Sequence, residues 1–256
     1  KEIRPNLIVI HGDRIEALAG AIVGSFNNIL VSHIEGGELS GTLDELIRHA
    51  ITKLSHIHFV SNEDAKKRLI QMGESDKCIF VIGSPDIDVM YSDELPSISE
   101  VKSHYDIRFD KYATFIFHPV TTEIQTLEHQ IREVVTALIE SKKNYVVIYP
   151  NNDSGSDIIL KEYEQLKNMN NFKVLPSVRF EYFLTLLKES KLLIGNSSAG
   201  IKESEVYGIP TINIGTRQKN RTKSGNIINV DSSKIHILDA ITQVENKKIE
   251  KCSYFG

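Results

Sequence analysis

The sequence predicts an α/β protein built on parallel sheets, and three observations carry that reading. Short apolar runs alternate with amphipathic stretches along nearly all 256 residues, which is the pattern of repeated β-α-β units. The alternation lapses once, over residues 84–99, where Ser-Pro, Leu-Pro-Ser and further serines and acids crowd together. Polar, glycine-bearing segments fall directly after the apolar runs, where open parallel sheets hold their ligands.

In chain order, the first half predicts strands over 7–10, 29–33, 57–60 and 79–82, with helices over 15–26, 43–54 and 63–72. Asn62 or Ser61 is placed to cap the third of these helices. Residues 84–99 read as a linker, so the chain divides into 1–93 and 94–256, two Rossmann-like domains with a ligand expected in the cleft between them. The second half predicts strands over 112–117, 145–149, 172–175, 192–194, 211–214 and 227–230. Its helices are expected over 122–140, 156–167, 180–189 and 200–207, with an amphipathic stretch over 234–244 closing the series. The first strand, Asn6-Leu7-Ile8-Val9-Ile10, begins with almost no lead.

Composition narrows the partners. A formal charge of −4 supplies no basic field for nucleic acid or an anionic membrane, so an anionic ligand has to be held locally by a few arginines and helix ends. No apolar run approaches the roughly 18 residues of a membrane span, and no secretory signal opens the sequence. Two cysteines, Cys78 and Cys252, without a C-x-x-C spacing argue against a disulfide scaffold or a cysteine zinc site, and fit a cytoplasmic protein.

The chemistry-bearing residues follow the strands. The first strand runs into His11-Gly12-Asp13-Arg14 and the second into His33-Ile34-Glu35-Gly36-Gly37-Glu38, so acids stand just past two sheet edges. Asp44 and Arg48 lie four apart on the next helix and share a face. Each has a plain structural reading: Asp13 as a helix cap, Asp44 and Arg48 as a surface ion pair. Three acids gathered at neighbouring strand ends favour catalysis, because their mutual repulsion demands compensation. Among the nine histidines, His49, His56 and His58 read as structural, and His33 is open to either reading.

In the second half, Phe117-His118-Pro119 puts a histidine at a strand end, either as a hydrogen-bonded turn residue or facing a ligand. Tyr149-Pro150-Asn151-Asn152-Asp153-Ser154-Gly155-Ser156 forms a polar loop into a helix. Gly195-Asn196-Ser197-Ser198-Ala199-Gly200 passes from strand to helix through small residues, which suits either a tight turn or a phosphate cradle of backbone N–H groups and hydroxyls. Glu203 falls about a turn later, in reach of ribose hydroxyls, and Gly215-Thr216-Arg217-Gln218, with Arg221 behind it, brings a cation to the same edge.

These segments, with Ser40-Gly41-Thr42 and Ile47-Arg48-His49-Ala50-Ile51-Thr52-Lys53-Leu54, run through nearly the whole chain in one order. That order closely resembles the hydrolysing UDP-N-acetylglucosamine 2-epimerases of sialic acid biosynthesis and their relatives acting on UDP-diacetylbacillosamine. The resemblance implies a two-domain glycosyltransferase-B-like fold. It implies UDP binding by Arg14, His118, Asn151, Ser197, Ser198, Glu203 and Arg217, and catalysis by the carboxyls of Asp13, Glu35 and Asp44, with His118 steadying the diphosphate or relaying a proton. Members of that family carry further chain ahead of the His-Gly-Asp motif, so the N-terminal domain is expected to be incomplete in this sequence. They form homodimers and homotetramers, and the chemistry requires neither cofactor nor metal.

The reaction so implied is anti elimination of UDP to a 2-acetamidoglucal, followed by addition of water with the proton returned to the opposite face of carbon 2. The products are N-acetylmannosamine and UDP. Alternatives are the same reaction on UDP-N,N'-diacetylbacillosamine, a non-hydrolysing epimerase that re-adds UDP, a retaining glycosyltransferase, and a nucleotide-sugar binding module without catalysis.

Overall fold

The computed structural model describes residues 3–39, 43–218 and 225–245. Two parallel sheets, each flanked by helices, form two compact units, the change of unit falling between Asp88 and Val89. This is the α/β class that the alternating pattern predicts.

In the first unit the order is β1 (Leu7–His11), α1 (Ile15–Phe26), β2 (Leu30–Ile34), α2 (Leu43–Lys53), β3 (Ile57–Val60), α3 (Glu63–Gln71) and β4 (Ile79–Val81). The strands lie side by side in sequence order and all are parallel. One core packs Ile10 and Val31 against Ala21 of α1 and Ile51 of α2. A second packs Val60 and Ile79 against Ala65 and Leu69 of α3. Asn62 is the cap of α3, its side chain accepting the Ala65 N–H at 2.9 Å. β1 stands at the sheet edge, with Val9 59% exposed and Phe26 of α1 80% exposed.

The expected linker is partly helical. α4 (Pro85–Met90) carries the chain into the second unit, and α5 (Ile98–Tyr105) begins inside the serine-rich stretch. Ser97 and Glu100 form a reciprocal capping box there, a Ser-x-x-Glu signature that the proline and serine content obscures.

The second unit continues with β5 (Ala113–Ile116), α6 (Ile124–Glu140), β6 (Tyr145–Ile148), α7 (Ser156–Tyr163), β7 (Phe172–Leu175), α8 (Phe180–Lys188), β8 (Leu193–Gly195), α9 (Glu203–Tyr207), β9 (Thr211–Ile214), β10 (Ile227–Val230) and α10 (Lys234–Glu245). The sheet order is β10-β9-β8-β5-β6-β7, all parallel. Both faces are covered, which is why its strands read as unbroken apolar runs. On β6, Tyr145 and Val147 face the α6 side while Val146 packs on the opposite side with Val101 and Leu186. The buried residues of α6, Leu127, Ile131, Val134, Val135, Ala137 and Leu138, recur at helical spacing.

Three helices are shorter than predicted because their ends tighten into 3-10 turns, at Thr121–Glu123, Glu164–Asn168 and Ser198–Gly200. The last matters most. The helix expected over 200–207 is a 3-10 turn followed by the five-residue α9, with Ile201 and Lys202 between them. Gly200 lies against β9, where a Cβ would stand 2.7 Å from Thr211 Cγ2.

Candidate functional site

At the C-terminal edge of the first sheet, β1 and β2 are paired so that His11 lies opposite Ile34. Gly12 then turns the chain with φ +81°, and Glu35 takes the left-handed region at φ 63°, which is strained for a residue bearing a Cβ. The next two residues are glycines for steric reasons. A Cβ on Gly36 would meet His33 Nδ1 at 2.9 Å, and one on Gly37, at φ +80°, would meet the Ala65 carbonyl at 2.7 Å.

Asp13 is not a helix cap. Arg14 holds the cap position of α1, and the Asp13 carboxylate accepts a hydrogen bond from Arg48 Nη2. Arg48 is 4% exposed and its Nη1 donates to the Glu38 carbonyl at 2.7 Å, so it is a buried clamp rather than half of a surface pair. Asp44 lies one turn earlier on α2, in its first turn. Glu35 accepts from Ser84 Oγ at 2.5 Å through one oxygen and meets His11 Nε2 at 3.1 Å through the other. The two strand-end carboxyls therefore sit in unlike surroundings: one against a guanidinium, the other between a hydroxyl and an imidazole. Ser84 and His11 were not among the residues the sequence singled out for a role at this site.

His33 resolves as a structural residue. Its Nε2 donates to the Gly12 carbonyl at 2.9 Å, and its Nδ1 contacts Thr52 Oγ1 at 3.2 Å. Burial pushes its pKa down to about 4, so the ring is neutral, with Nδ1 accepting from the threonine. His56 Nδ1 accepts the Val31 N–H at 3.2 Å, and buried His58 lies 3.4 Å from Glu74. Arg14 is exposed, 3.9 Å from Glu16.

In the second unit the strand order reverses direction between β5 and β8, the position where doubly wound sheets open a crevice. His118 follows β5 and Asn196 follows β8. The Asn196 side chain accepts the His118 N–H at 2.7 Å and donates to the His118 carbonyl at 2.8 Å. The His118 ring accepts the Asn151 N–H on Nδ1 at 3.0 Å, leaving Nε2 to carry the proton. Burial first, and the Arg217 charge second, push the His118 pKa down to about 3, so this ring too is neutral. Arg217 Nη1 and Gln218 Nε2 both donate to the Asn196 carbonyl, at 3.3 and 2.9 Å. Asn151 also donates to Asp153 at 2.5 Å.

The turn between β8 and α9 depends on Gly195, whose φ is +134° and whose Cβ would stand 1.8 Å from the Ile116 carbonyl. Ser197 Oγ accepts the Ala199 N–H at 3.3 Å, and Ser198 is exposed beside it. Glu203 opens α9. Thr216, after β9, donates to Glu123. The sequence thus placed His118, Asn151, Ser197, Ser198, Glu203 and Arg217 at strand ends of one sheet, and missed Asn196 and Gln218, whose buried amides tie those ends together. Ser40, Gly41, Thr42 and Arg221 lie outside the described residues. Among the described residues no group of three or more His, Cys, Asp or Glu side chains is arranged to hold a metal ion, and no helix is long and apolar enough to cross a membrane.

Two parallel α/β sheets, one edged by clamped carboxyls and the other by a neutral histidine with an arginine at its switch point, define a doubly wound protein of the glycosyltransferase-B-like class. The profile of the UDP-N-acetylglucosamine 2-epimerase family matches residues 1–255, and the chain belongs to that family. It is 53% identical over 242 residues to a UDP-N-acetylglucosamine 2-epimerase of Neisseria meningitidis serogroup B, covering 94% of this chain and 64% of that protein. It is 35% identical over 254 residues to a hydrolysing UDP-N,N'-diacetylbacillosamine 2-epimerase of Legionella pneumophila, covering 98% and 67% respectively. Among solved structures, that of a Neisseria meningitidis UDP-GlcNAc 2-epimerase bound to UDP-GlcNAc shares the fold with a TM-score of 0.80 at 21% identity, over 98% of this chain and 73% of that one.

Proposed function

We propose that the protein is a hydrolysing UDP-N-acetylglucosamine 2-epimerase. The observation that carries this reading is the pair of unlike carboxyls at adjacent strand ends. Carbon 2 of an N-acetylhexosamine bears a weakly acidic C–H, so its removal needs a base while the C1–O bond to UDP breaks. Asp13, ion-paired with Arg48, suits the carboxylate base. Glu35, held by Ser84 and joined to His11, suits the group that passes a proton, with the imidazole as its relay, to the opposite face of carbon 2 as water adds to carbon 1 of the glycal. Asp44 completes the carboxyl set. On the nucleotide side, Arg14, His118, Asn151, Ser197, Ser198, Glu203 and Arg217 bind UDP, and the neutral His118 with Arg217 stabilises the departing diphosphate.

The greater identity to the Neisseria relative than to the Legionella one favours UDP-N-acetylglucosamine over the diacetylated sugar. Hydrolysis rather than re-addition of UDP rests on the Legionella relative's described reaction and on the His-Gly-Asp-Arg and Glu-Gly-Gly-Glu segments. The active assembly is a homodimer or homotetramer in the cytoplasm.

The test is to incubate the full-length protein in deuterated water with UDP-N-acetylglucosamine, and separately with UDP-N,N'-diacetylbacillosamine, and follow the products by proton NMR. Free 2-epimerised sugar with deuterium at carbon 2, plus UDP, is the expected result on the first substrate. An intact, unexchanged nucleotide sugar in both reactions would overturn the proposal in favour of a binding module. An epimerised but intact nucleotide sugar would assign the non-hydrolysing reaction.

A further inference from the structure

Asn196 is 1% exposed and uses every polar group it has on the two elements that carry the candidate nucleotide site. Its own N–H donates to the Ile116 carbonyl at 3.1 Å, joining the end of β8 to the end of β5. Its amide oxygen and nitrogen bond the N–H and the carbonyl of His118 at 2.7 and 2.8 Å, a two-point bond that holds a loop peptide as a strand partner would. Its carbonyl accepts from both Arg217 and Gln218, which arrive after β9. Three strand ends, β5, β8 and β9, thus meet on one side chain and its peptide.

Such an arrangement decides where His118 and Arg217 point. His118 lies beyond the end of β5, outside the ladder, and the Asn196 amide serves both its backbone donor and its backbone acceptor. With the peptide held, the ring reaches the Asn151 N–H with Nδ1 and keeps its proton on Nε2. Gln218, 6% exposed, anchors the segment carrying Arg217 to the same carbonyl. Gly195 is required immediately before it because the β8 chain passes over the Ile116 carbonyl.

We propose that Asn196 is a positioning residue for the UDP-binding half of the site: through its amide it sets the His118 ring, and through its carbonyl, with Gln218, it sets Arg217. This rests on the reading of His118 and Arg217 as diphosphate-binding groups, and it adds to that reading the residue that makes them act as a unit. Asn196 touches neither sugar nor phosphate in this role.

The experiment compares the full-length protein with its Asn196→Ala and Gln218→Leu variants. Ring tautomers are read from long-range proton–nitrogen spectra, the His118 signals being assigned by their loss in His118→Gln. UDP affinity is read by calorimetry, and the thermal midpoint is recorded alongside. The wild-type His118 ring is expected as a single Nε2–H tautomer at neutral pH. Asn196→Ala is expected to give a mixture of tautomers and to weaken UDP binding roughly tenfold, the loss appropriate to two buried hydrogen bonds whose effect falls on ligand contacts. Gln218→Leu is expected to keep the tautomer and weaken UDP roughly threefold or more.

A folded Asn196→Ala protein with an unchanged ring and UDP affinity within twofold of wild type would overturn the proposal. So would an unaltered UDP affinity in Gln218→Leu, should Asn196→Ala prove unfolded. A merely structural asparagine would lower the thermal midpoint and leave the ring alone. The tautomer requires neither turnover nor UDP, so failure of the wild-type protein to process a UDP-sugar would strike the proposed function and leave this test standing.

Discussion

Arg48 reaches across from α2 to the Asp13 carboxylate beyond β1, and with its second nitrogen it holds the Glu38 carbonyl at 2.7 Å. A guanidinium that is 4% exposed is sustained in the fold only by such pairing, and the pairing in turn fixes where the Asp13 carboxylate stands at the sheet edge. Replacing Arg48 with Met leaves Asp13 without its counter-charge. The expected cost is about 2–3 kcal/mol, below the full value for a buried pair because the Asp13 side chain is 26% exposed. Arg48→Lys keeps the charge but loses the fork that serves two acceptors, and is expected to fall between. Urea unfolding of the three proteins at pH 7 checks the order, and a Met variant as stable as wild type would show that the clamp carries no net stability.

Asp13→Asn and Glu35→Gln remove one proton-handling carboxyl each while preserving shape. Each is expected to lower turnover of the UDP-sugar by roughly 10²–10⁴-fold, the usual contribution of a positioned acid or base. UDP affinity is expected to stay within a few-fold of wild type, because the proposed nucleotide contacts lie mostly on the other unit. Steady-state kinetics beside UDP titration separates the two effects. Near-normal turnover in either variant would remove that residue from the mechanism.

Gly195→Ala tests the tightest backbone approach among the described glycines. The added Cβ would stand 1.8 Å from the Ile116 carbonyl at a φ of +134°, so neither the strand nor the turn can accept it without moving. Loss of soluble folded protein, or a fall of about 3 kcal/mol or more, is expected. Gly20→Ala is the opposite case. It sits inside α1, where a Cβ would make an ordinary 3.6 Å contact with Ile10, and is expected to stabilise by about 0.5–1 kcal/mol. Thermal unfolding of the pair reads both signs.

His33 makes stability depend on pH. Its native pKa is held near 4 by burial, against about 6.5 in the unfolded chain. Above about pH 6.5 the ring is neutral in both states and its contribution is complete. Between there and about pH 4 only the unfolded chain takes up the proton, so stability falls as pH falls, by about 1.4 kcal/mol per pH unit from this group. His33→Gln lowers stability at pH 7 by losing the fit to Gly12 and Thr52, yet is expected to flatten the slope between pH 6.5 and 4.5 by about that amount. Unfolding curves at several pH values in that window check it, and an unaltered slope would mean that His33 is charged in the native state.

Much of the fold is legible in the chain itself. The strands at Ile57–Val60, Phe172–Leu175, Thr211–Ile214 and Ile227–Val230 and the helix at Ile15–Phe26 fall where the apolar pattern puts them, because their periodicity is local and unbroken. The helix over Ile98–Tyr105 was hidden among serines and prolines although its capping box is written in the chain. The segment after β8 has the pattern of one helix and is a 3-10 turn with a short helix, and the close approach of Gly200 to Thr211 there is a tertiary constraint without a local sign.

For the site, the sequence alone determined which residue types stand after which strands: Asp13 and Glu35 past the first sheet, His118, Asn151, Ser197 and Arg217 past the second. That much follows from strand-then-loop order, which is a property of the chain taken a few residues at a time. What only the tertiary structure decided is who holds whom. Arg48 serves Asp13 and Glu38, thirty-five and ten residues away, and the His33 ring is a structural bridge between β1 and α2. Asn196 binds a peptide 78 positions earlier. Hydrogen bonds of this kind are chosen by distance and burial in space, and the protonation of His33 and His118 follows from the dielectric and charges around them rather than from their neighbours in sequence.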